Sequence, residues 1–378
     1  MGAHESLRFR LLESIRHFSR AKNLTPRQAI FALALLIVIW TVFLWSSLPY
    51  YPPASALRLG RLQHYGTDGV PEVRALTANS RVAFATFLAE NTKRTGDTEK
   101  DNDDMYFVAA RVLAYQLLHD PETRTNNSIP FIVLVTSAVS ESKRRTLESD
   151  GATVIFAEDV PLPFWVKTGV TRWKDQFTKL RLFELVEYER IVFIDADTLL
   201  TRNMDGIFED PAVKFPSETL LESKREELKS DEAVLPEKYV FSARPDNALN
   251  GERDHPFPPV EGDIFSAGFW VAAPSFELFD YYYSVMNRWR RFNPHTMEQS
   301  LLNYAHRLSG TMPWGRLDYK WSATWPNHAD LKGGVASLHE KFWSAGEEDM
   351  RRLWYDMRTK MERTSAFLQG AECDRLFG

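Results

Sequence analysis

The sequence predicts an α/β protein, a mostly parallel sheet flanked by helices, preceded by one N-terminal transmembrane helix. Three observations predict it. Strand-like and helix-like runs alternate through the middle of the chain. One apolar strand-like run leads straight into a pair of carboxylates. A single uncharged apolar stretch near the N-terminus is long enough to cross a bilayer.

That stretch comes first. From Gln28 to Leu57 there is no Asp, Glu, Lys or Arg, and residues 29–48 supply about the 20 apolar positions that a spanning helix needs. Arg8, Arg10, Arg16, Arg20, Lys22 and Arg27 precede it, whereas the next positive charges are Arg58 and Arg61. The N-terminus is therefore expected in the cytoplasm and the remainder in the lumen. A cleaved signal peptide and a buried hydrophobic helix are the competing readings. The expected organisation is a cytoplasmic tail (1–27), a signal-anchor (28–48), a Pro- and Gly-punctuated stem (49–80) and a folded domain (81–378). Asn126-Asn127-Ser128 is an acceptor sequon that a luminal location would expose.

In the folded part, residues 82–88, 131–136 and 153–156 read as strands, with helices over 105–118 and 140–149 between them. Alternation at this spacing argues for parallel strands joined by crossover helices. Residues 174–188 put Phe177, Leu180, Leu185 and Val186 near one helical stripe, and a strand over 190–194 follows. Residues 218–254 are charged and Pro-punctuated, and read as an insertion or mobile loop.

Composition narrows the function. The 378 residues, 44% hydrophobic and 26% charged, suffice for one large domain with appendages. A net charge of -5 leaves no basic footprint, so no nucleic-acid partner is expected. The only cysteine, Cys373, excludes an intrachain disulfide framework and a Cys-based zinc site.

Asp195-Ala196-Asp197 follows the strand directly, and ligands of open α/β sheets bind at the carboxyl ends of strands. Carboxylates two residues apart on extended backbone lean to one side, where they can hold a hard divalent ion completed by substrate phosphate. Asp101-Asn102-Asp103 has the same spacing without a preceding strand and reads as solvated loop charge. His339 offers a third, nitrogen ligand that would favour manganese, while a lone histidine is more often structural. Lys179 and Lys341 are either point charges on phosphate or surface lysines. Ser266, Ala267 and Gly268 would let backbone approach a ligand, or would mark a bulge. Thr296 with Gln299 fits a helix capping box. Trp314, Trp321, Trp325 and Trp343 are either sugar-stacking platforms or core.

Together these residues resemble the glycogenin-like branch of glycosyltransferase family eight in its fungal-type, membrane-anchored form. The resemblance runs through Asp104-Met105-Tyr106, Thr178-Lys179-Leu180, residues 192–200 (VFIDADTLL), 263–268 (DIFSAG), 298–303 (EQSLLN), and His339 with Lys341 and Trp343. It implies an A-type, Rossmann-like nucleotide-sugar transferase fold, a UDP-sugar donor, Mn2+ (or Mg2+), and transfer of a hexosyl or N-acetylhexosaminyl unit with retention. The acceptor would be a glycan or protein, and the location a Golgi or endoplasmic-reticulum membrane in single-pass type II topology.

It further implies that Asp195, Asp197 and His339 bind the metal and that Lys179, Glu298 and Gln299 serve catalysis. Tyr106, Lys179, Ala196, Ser266, Ala267, Gly268 and Lys341 would bind the substrate. The sequence departs from the pattern in Ser266 (usually Asn), Glu298 (usually Asp), His295 (often acidic) and the shortened His339-to-Lys341 spacing. Two rival readings exist: a catalytically impaired anchored scaffold derived from a transferase, and a haloacid-dehalogenase-like phosphatase with Asp195 as nucleophile. The phosphatase motif normally opens its domain, whereas three strand-like runs come before it here.

Overall fold

Runs rich in β-branched and aromatic residues form the strands of a central sheet and are buried along both faces, as expected where helices cover the sheet. The computed structural model describes residues 34–40, 62–65, 71–72, 81–89, 104–167, 171–248, 253–259 and 261–377. The chain divides into two units, Met1–Tyr50 and Tyr51–Gly378.

The strands are β1 (Leu62–Tyr65), β2 (Pro71–Glu72), β3 (Val82–Leu88), β4 (Phe131–Val135), β5 (Thr153–Ala157), β6 (Arg190–Ile194), β7 (Thr198–Leu200), β8 (Ser217–Glu218), β9 (Lys238–Tyr239), β10 (Phe241–Pro245), β11 (Phe265–Ala272), β12 (Gly315–Arg316), β13 (Ser322–Thr324) and β14 (Ser337–His339). Among the described residues, nine of them form one sheet in the order β12-β10-β11-β6-β3-β4-β5-β1-β2. β13-β14-β7 make a smaller sheet, and β8 pairs with β9.

The parallel centre β6-β3-β4-β5 agrees with the alternation in the sequence. The sheet as a whole is mixed, not mostly parallel: four neighbouring pairs run parallel and four antiparallel. The reversal centres on β11, whose eight residues are all buried and which lies antiparallel to both β6 and β10. A strand buried on both faces carries no periodic signal of its direction.

Alternate side chains of β6 and β11 serve two cores. Phe193 and Trp270 face a cluster built with Phe177, Phe183, Tyr282 and Leu301. Val192, Ile194 and Phe269 face another built with Phe107, Leu113 and Leu117 of helix Met105–Leu118. That helix starts at Asp104, whose carboxylate accepts from Tyr106 N and Phe107 N and is fixed from behind by Lys143 Nζ at 2.8 Å.

Other expectations need correction. The segment over 174–188 is a 3-10 helix at Thr171–Glu184, ending before Leu185 and Val186. The stretch read as a loop over 218–254 contains β9 and the buried strand β10, with 249–252 outside the described residues. Its charged part is clamped by Arg307 on Glu227 and by Arg291 on Asp231 and Glu232. Part of the stretch read as stem joins the sheet edge, because β1 pairs antiparallel with β5.

Of the apolar N-terminal run, only 34–40 is described. It is helical, with Leu35, Leu36, Ile37, Val38, Ile39 and Trp40 exposed. No helix among the described residues is long and apolar enough to cross a membrane, and the rest of the 28–48 reading lies outside them, as do Asp101 and Asp103.

Candidate metal and nucleotide-sugar site

β6 ends at Ile194, and Asp195 continues it with its N–H donating to Gly268 O of β11 at 2.8 Å. The two carboxylates thus sit where the parallel centre of the sheet opens. Asp197 leads directly into β7, which pairs antiparallel with β14 in a register that sets Thr198 opposite His339. Strand pairing therefore brings in an imidazole 142 residues away in sequence: His339 Nε2 lies 3.0 Å from Asp197 Oδ1 and 3.8 Å from Asp195 Oδ2. One ligand atom from each of the three side chains lies within 4.8 Å of the others.

Gly268 makes this proximity possible. A Cβ there would fall 2.4 Å from His339 Cε1, 2.7 Å from His339 Nδ1 and 2.9 Å from Asp195 Oδ2, too close for any side chain.

Two lysines complete the polar cluster. Lys179 Nζ, from the 3-10 helix, contacts Asp195 Oδ1 at 2.8 Å and Glu298 Oε1 at 2.9 Å, and lies 4.9 Å from the centre of the Phe193 ring. Lys341 Nζ contacts Asp197 Oδ2 at 3.1 Å. Neither is a free surface lysine, although Lys341 is about half exposed.

Burial alone would lower the Lys179 ammonium, but Asp195 and Glu298 outweigh it and raise it. Burial would likewise raise the Asp197 carboxyl, yet His339 and Lys341 hold it well below the usual range. The His339 imidazole is raised: burial works against its charge, and Asp197 and Asp195 overcome that. Glu298 is raised chiefly by its own burial, which Lys179 offsets only in part.

Helix Met297–Ala305 is docked on β11 by two amides one turn apart. Gln299 accepts from Ala267 N at 2.9 Å and donates to Asp246 Oδ2 at 2.9 Å, while Asn303 exchanges hydrogen bonds with Phe265 N and Phe265 O. The capping-box reading fails here: Thr296 makes no capping hydrogen bond, and its hydroxyl meets Ser300 instead.

A cavity of about 300 Å³ unites Tyr106, Lys179, Asp195, Ala196, Asp197, Ser266, Ala267, Gly268, Glu298, Gln299, His339 and Lys341. Tyr106 meets the Trp343 ring edge-on at 5.3 Å on its rim. Asp246 also lines it and was missed from sequence, because it follows β10 in a stretch too charged to read as a strand. The signal that points to it is position alone, a short strand running into an aspartate as at Asp195, here interrupted by Ser242 and Arg244. Trp314 and Trp321 are buried in the cores, so neither stacks on a sugar.

The donor set fits a divalent ion. Two carboxylates of the β6–β7 turn and the imidazole of β14 converge, Nε2 faces both carboxylates, and His339 Nδ1 is buried without a hydrogen-bond partner.

No protein-family model matches the chain. An uncharacterized protein of Schizosaccharomyces pombe is 33% identical over 264 residues, which cover 64% of this chain and 68% of that one. The chain belongs to that protein's family. Glucuronosyltransferases of Arabidopsis thaliana are also relatives. UDP-glucuronate:xylan alpha-glucuronosyltransferase 1 is 27% identical over 145 residues, 38% of this chain and 19% of the plant enzyme. The matched part thus spans about a fifth of the plant protein's length. A solved structure of an active-site mutant of LgtC aligns with 75% of this chain and 95% of that one at 12% identity and a TM-score of 0.45, a likeness that carries no weight by itself. Glycosyltransferases are thus among the homologues of this chain.

Proposed function

We propose that the protein is a metal-dependent, retaining glycosyltransferase of the A-type fold that moves a hexosyl unit from a UDP-sugar to a glycan or protein acceptor. The observation that carries this is the convergence in one cavity of Asp195 and Asp197, from the turn between β6 and β7, with His339 of the distant strand β14. The glycosyltransferase relatives support the class of reaction.

In this reading Asp195, Asp197 and His339 hold the ion. When bound, that ion supplies Lewis-acid stabilisation of the negative charge growing on the leaving diphosphate. Lys179 fixes the Asp195 carboxylate and joins it to Glu298, so both groups keep one geometry through turnover. Lys341 stands on the other side of Asp197 as a point charge for phosphate. Gly268 and Ala267 present backbone at the cavity floor, and Gln299 locks that backbone in place. Tyr106 on the rim offers a face for the nucleotide.

The same proposal places residues 28–48 as a signal-anchor and the second unit in the lumen of the Golgi. The uncharged run and the basic flank before it support this. The test is release of UDP from a panel of UDP-sugars by the purified chain with and without Mn2+. Release that is metal-dependent and abolished in Asp197→Asn supports the reading, and a chain inert toward every donor while binding neither UDP nor Mn2+ removes it.

A further inference from the structure

The walls of the cavity differ in what they offer a ligand. Around Asp195, Asp197 and His339 the groups suit a cation and phosphate. Beyond Lys179, on helix Met297–Ala305 and at the end of β10, the wall carries two further carboxylates, Glu298 and Asp246. Glu298 Oε2 is buried and makes no hydrogen bond, although its partner oxygen Oε1 is held by Lys179. Asp246 offers a second carboxylate, whose oxygens accept from Ala248 N and Gln299 Nε2. Gln299 has its carbonyl on Ala267 N and one amide hydrogen on Asp246, which leaves it a single neutral N–H donor.

The cations of the cavity are committed. Lys179 is shared between two carboxylates with the Phe193 ring against it, and Lys341 is paired with Asp197. Among the described residues no arginine lines the cavity.

Hydroxyl groups donate, so a sugar rich in them meets acceptors that need donors. A carboxylate only accepts. A uronic acid would bring a negative charge against Glu298 and Asp246 with no uncommitted cation to receive it, on a donor whose diphosphate is already negative.

From this we propose that the sugar subsite admits a neutral hexose and rejects a uronic acid, with Glu298 as the specificity-determining residue. The inference rests on the transferase reading above and specifies its donor. It also separates this chain from its plant relatives, whose names specify UDP-glucuronate.

The experiment uses the full chain in detergent with Mn2+ and compares UDP, UDP-glucose, UDP-galactose and UDP-glucuronate, by thermal stabilisation and by kcat/KM for UDP release. A neutral donor should exceed UDP-glucuronate by about 100-fold in kcat/KM, the size of one uncompensated like-charge contact about 6 Å away at an effective dielectric of about 20. UDP-glucuronate should also stabilise the protein less than UDP alone. Glu298→Gln removes one charge and frees Lys179 of a partner, so the gap should narrow about tenfold. Asp246→Asn, which leaves the Lys179 ion pairs intact, should narrow it in the same direction. UDP-glucuronate used as well as the neutral donors, or a gap unchanged in both variants, overturns the proposal. If UDP itself fails to bind with Mn2+, the transferase reading falls and this inference with it.

Discussion

His339 stands opposite Thr198 in the β14-β7 pairing, one residue beyond Asp197, and that register is what delivers its imidazole to within 3.0 Å of the Asp197 carboxylate. A slip of one residue would turn His339 to the other face of the small sheet. The site is therefore a property of how β7 and β14 pair, and the neighbouring contact from Glu340 N to Asp197 O at 3.1 Å extends the same pairing.

Gly268→Ala tests the closeness of β11 to this pair. The added methyl group must displace His339 or Asp195, because its nearest atoms would lie at 2.4 to 2.9 Å. We expect destabilisation of about 1 to 3 kcal/mol by denaturant unfolding and Mn2+ affinity weakened at least tenfold by titration. Normal Mn2+ affinity in a folded Gly268→Ala protein would show that the three ligands do not need this geometry.

Lys179→Met leaves Glu298 and Asp195 without the ammonium that joins them. Breaking a buried pair from one side costs about 3 to 5 kcal/mol. Glu298 is already raised by burial, and loss of Lys179 raises it further. A carboxyl whose folded value lies above its unfolded one costs nothing while both forms are protonated, and lowers stability as pH rises through and beyond about 4.5. The variant's deficit should thus be larger at pH 8 than at pH 5 in urea melts, and an equal deficit at both would contradict the ion-pair account.

The buried core histidine gives a pH dependence independent of the site. His306 Nδ1 lies 2.9 Å from Met312 O, which can only accept, so that nitrogen carries the hydrogen and Nε2 accepts from the Tyr282 hydroxyl at 2.6 Å. Both nitrogens are thus satisfied in the neutral ring, which Phe241 stacks at 4.1 Å. Burial pushes its pKa down to about 3. The unfolded chain takes up this proton below about 6.5 while the folded one does not, so stability is full above that pH and falls toward pH 3, by at most about 1.4 kcal/mol per unit. His306→Gln should flatten the stability-versus-pH slope between pH 6 and 4 by roughly one proton. A slope unchanged by the substitution would mean that His306 titrates normally.

Asn126 offers a test of topology. Its sequon is exposed, and Asn126 N is anchored to Asp205 Oδ2 at 2.8 Å. If the second unit is luminal, expression in a secretory host should add a glycan that Asn126→Gln abolishes, visible as a mobility shift with endoglycosidase. The absence of any shift, together with protease sensitivity of the intact domain in unbroken microsomes, would place it on the cytoplasmic side.

How much of this was legible in the sequence depended on whether a residue's role was set locally. Asp195 and Asp197 stood out because an apolar strand ran straight into them, and the centre β3-β4-β5-β6 stood out because helices alternated with it. Asp246 did not, since β10 follows a run of charges whose partners, Arg291 and Arg307, are supplied by segments far along the chain. Gln299 was ambiguous for a similar reason. Locally it completes a capping pattern, and only the position of β11 turns its amide toward Ala267. The antiparallel direction of β11 and the capture of β1 by β5 depend on tertiary pairing that no periodicity encodes. Lys341 falls between the two cases: its spacing from His339 departs from the family pattern, yet its long side chain still reaches Asp197.

The most direct test of the account is calorimetric titration of UDP into the purified chain with and without Mn2+, repeated for His339→Ala. The account predicts that Mn2+ strengthens UDP binding at least tenfold in the unaltered chain, and that His339→Ala abolishes this gain while shifting the metal-free melting temperature little. UDP affinity that is the same with and without Mn2+, or a gain that survives in His339→Ala, would contradict it.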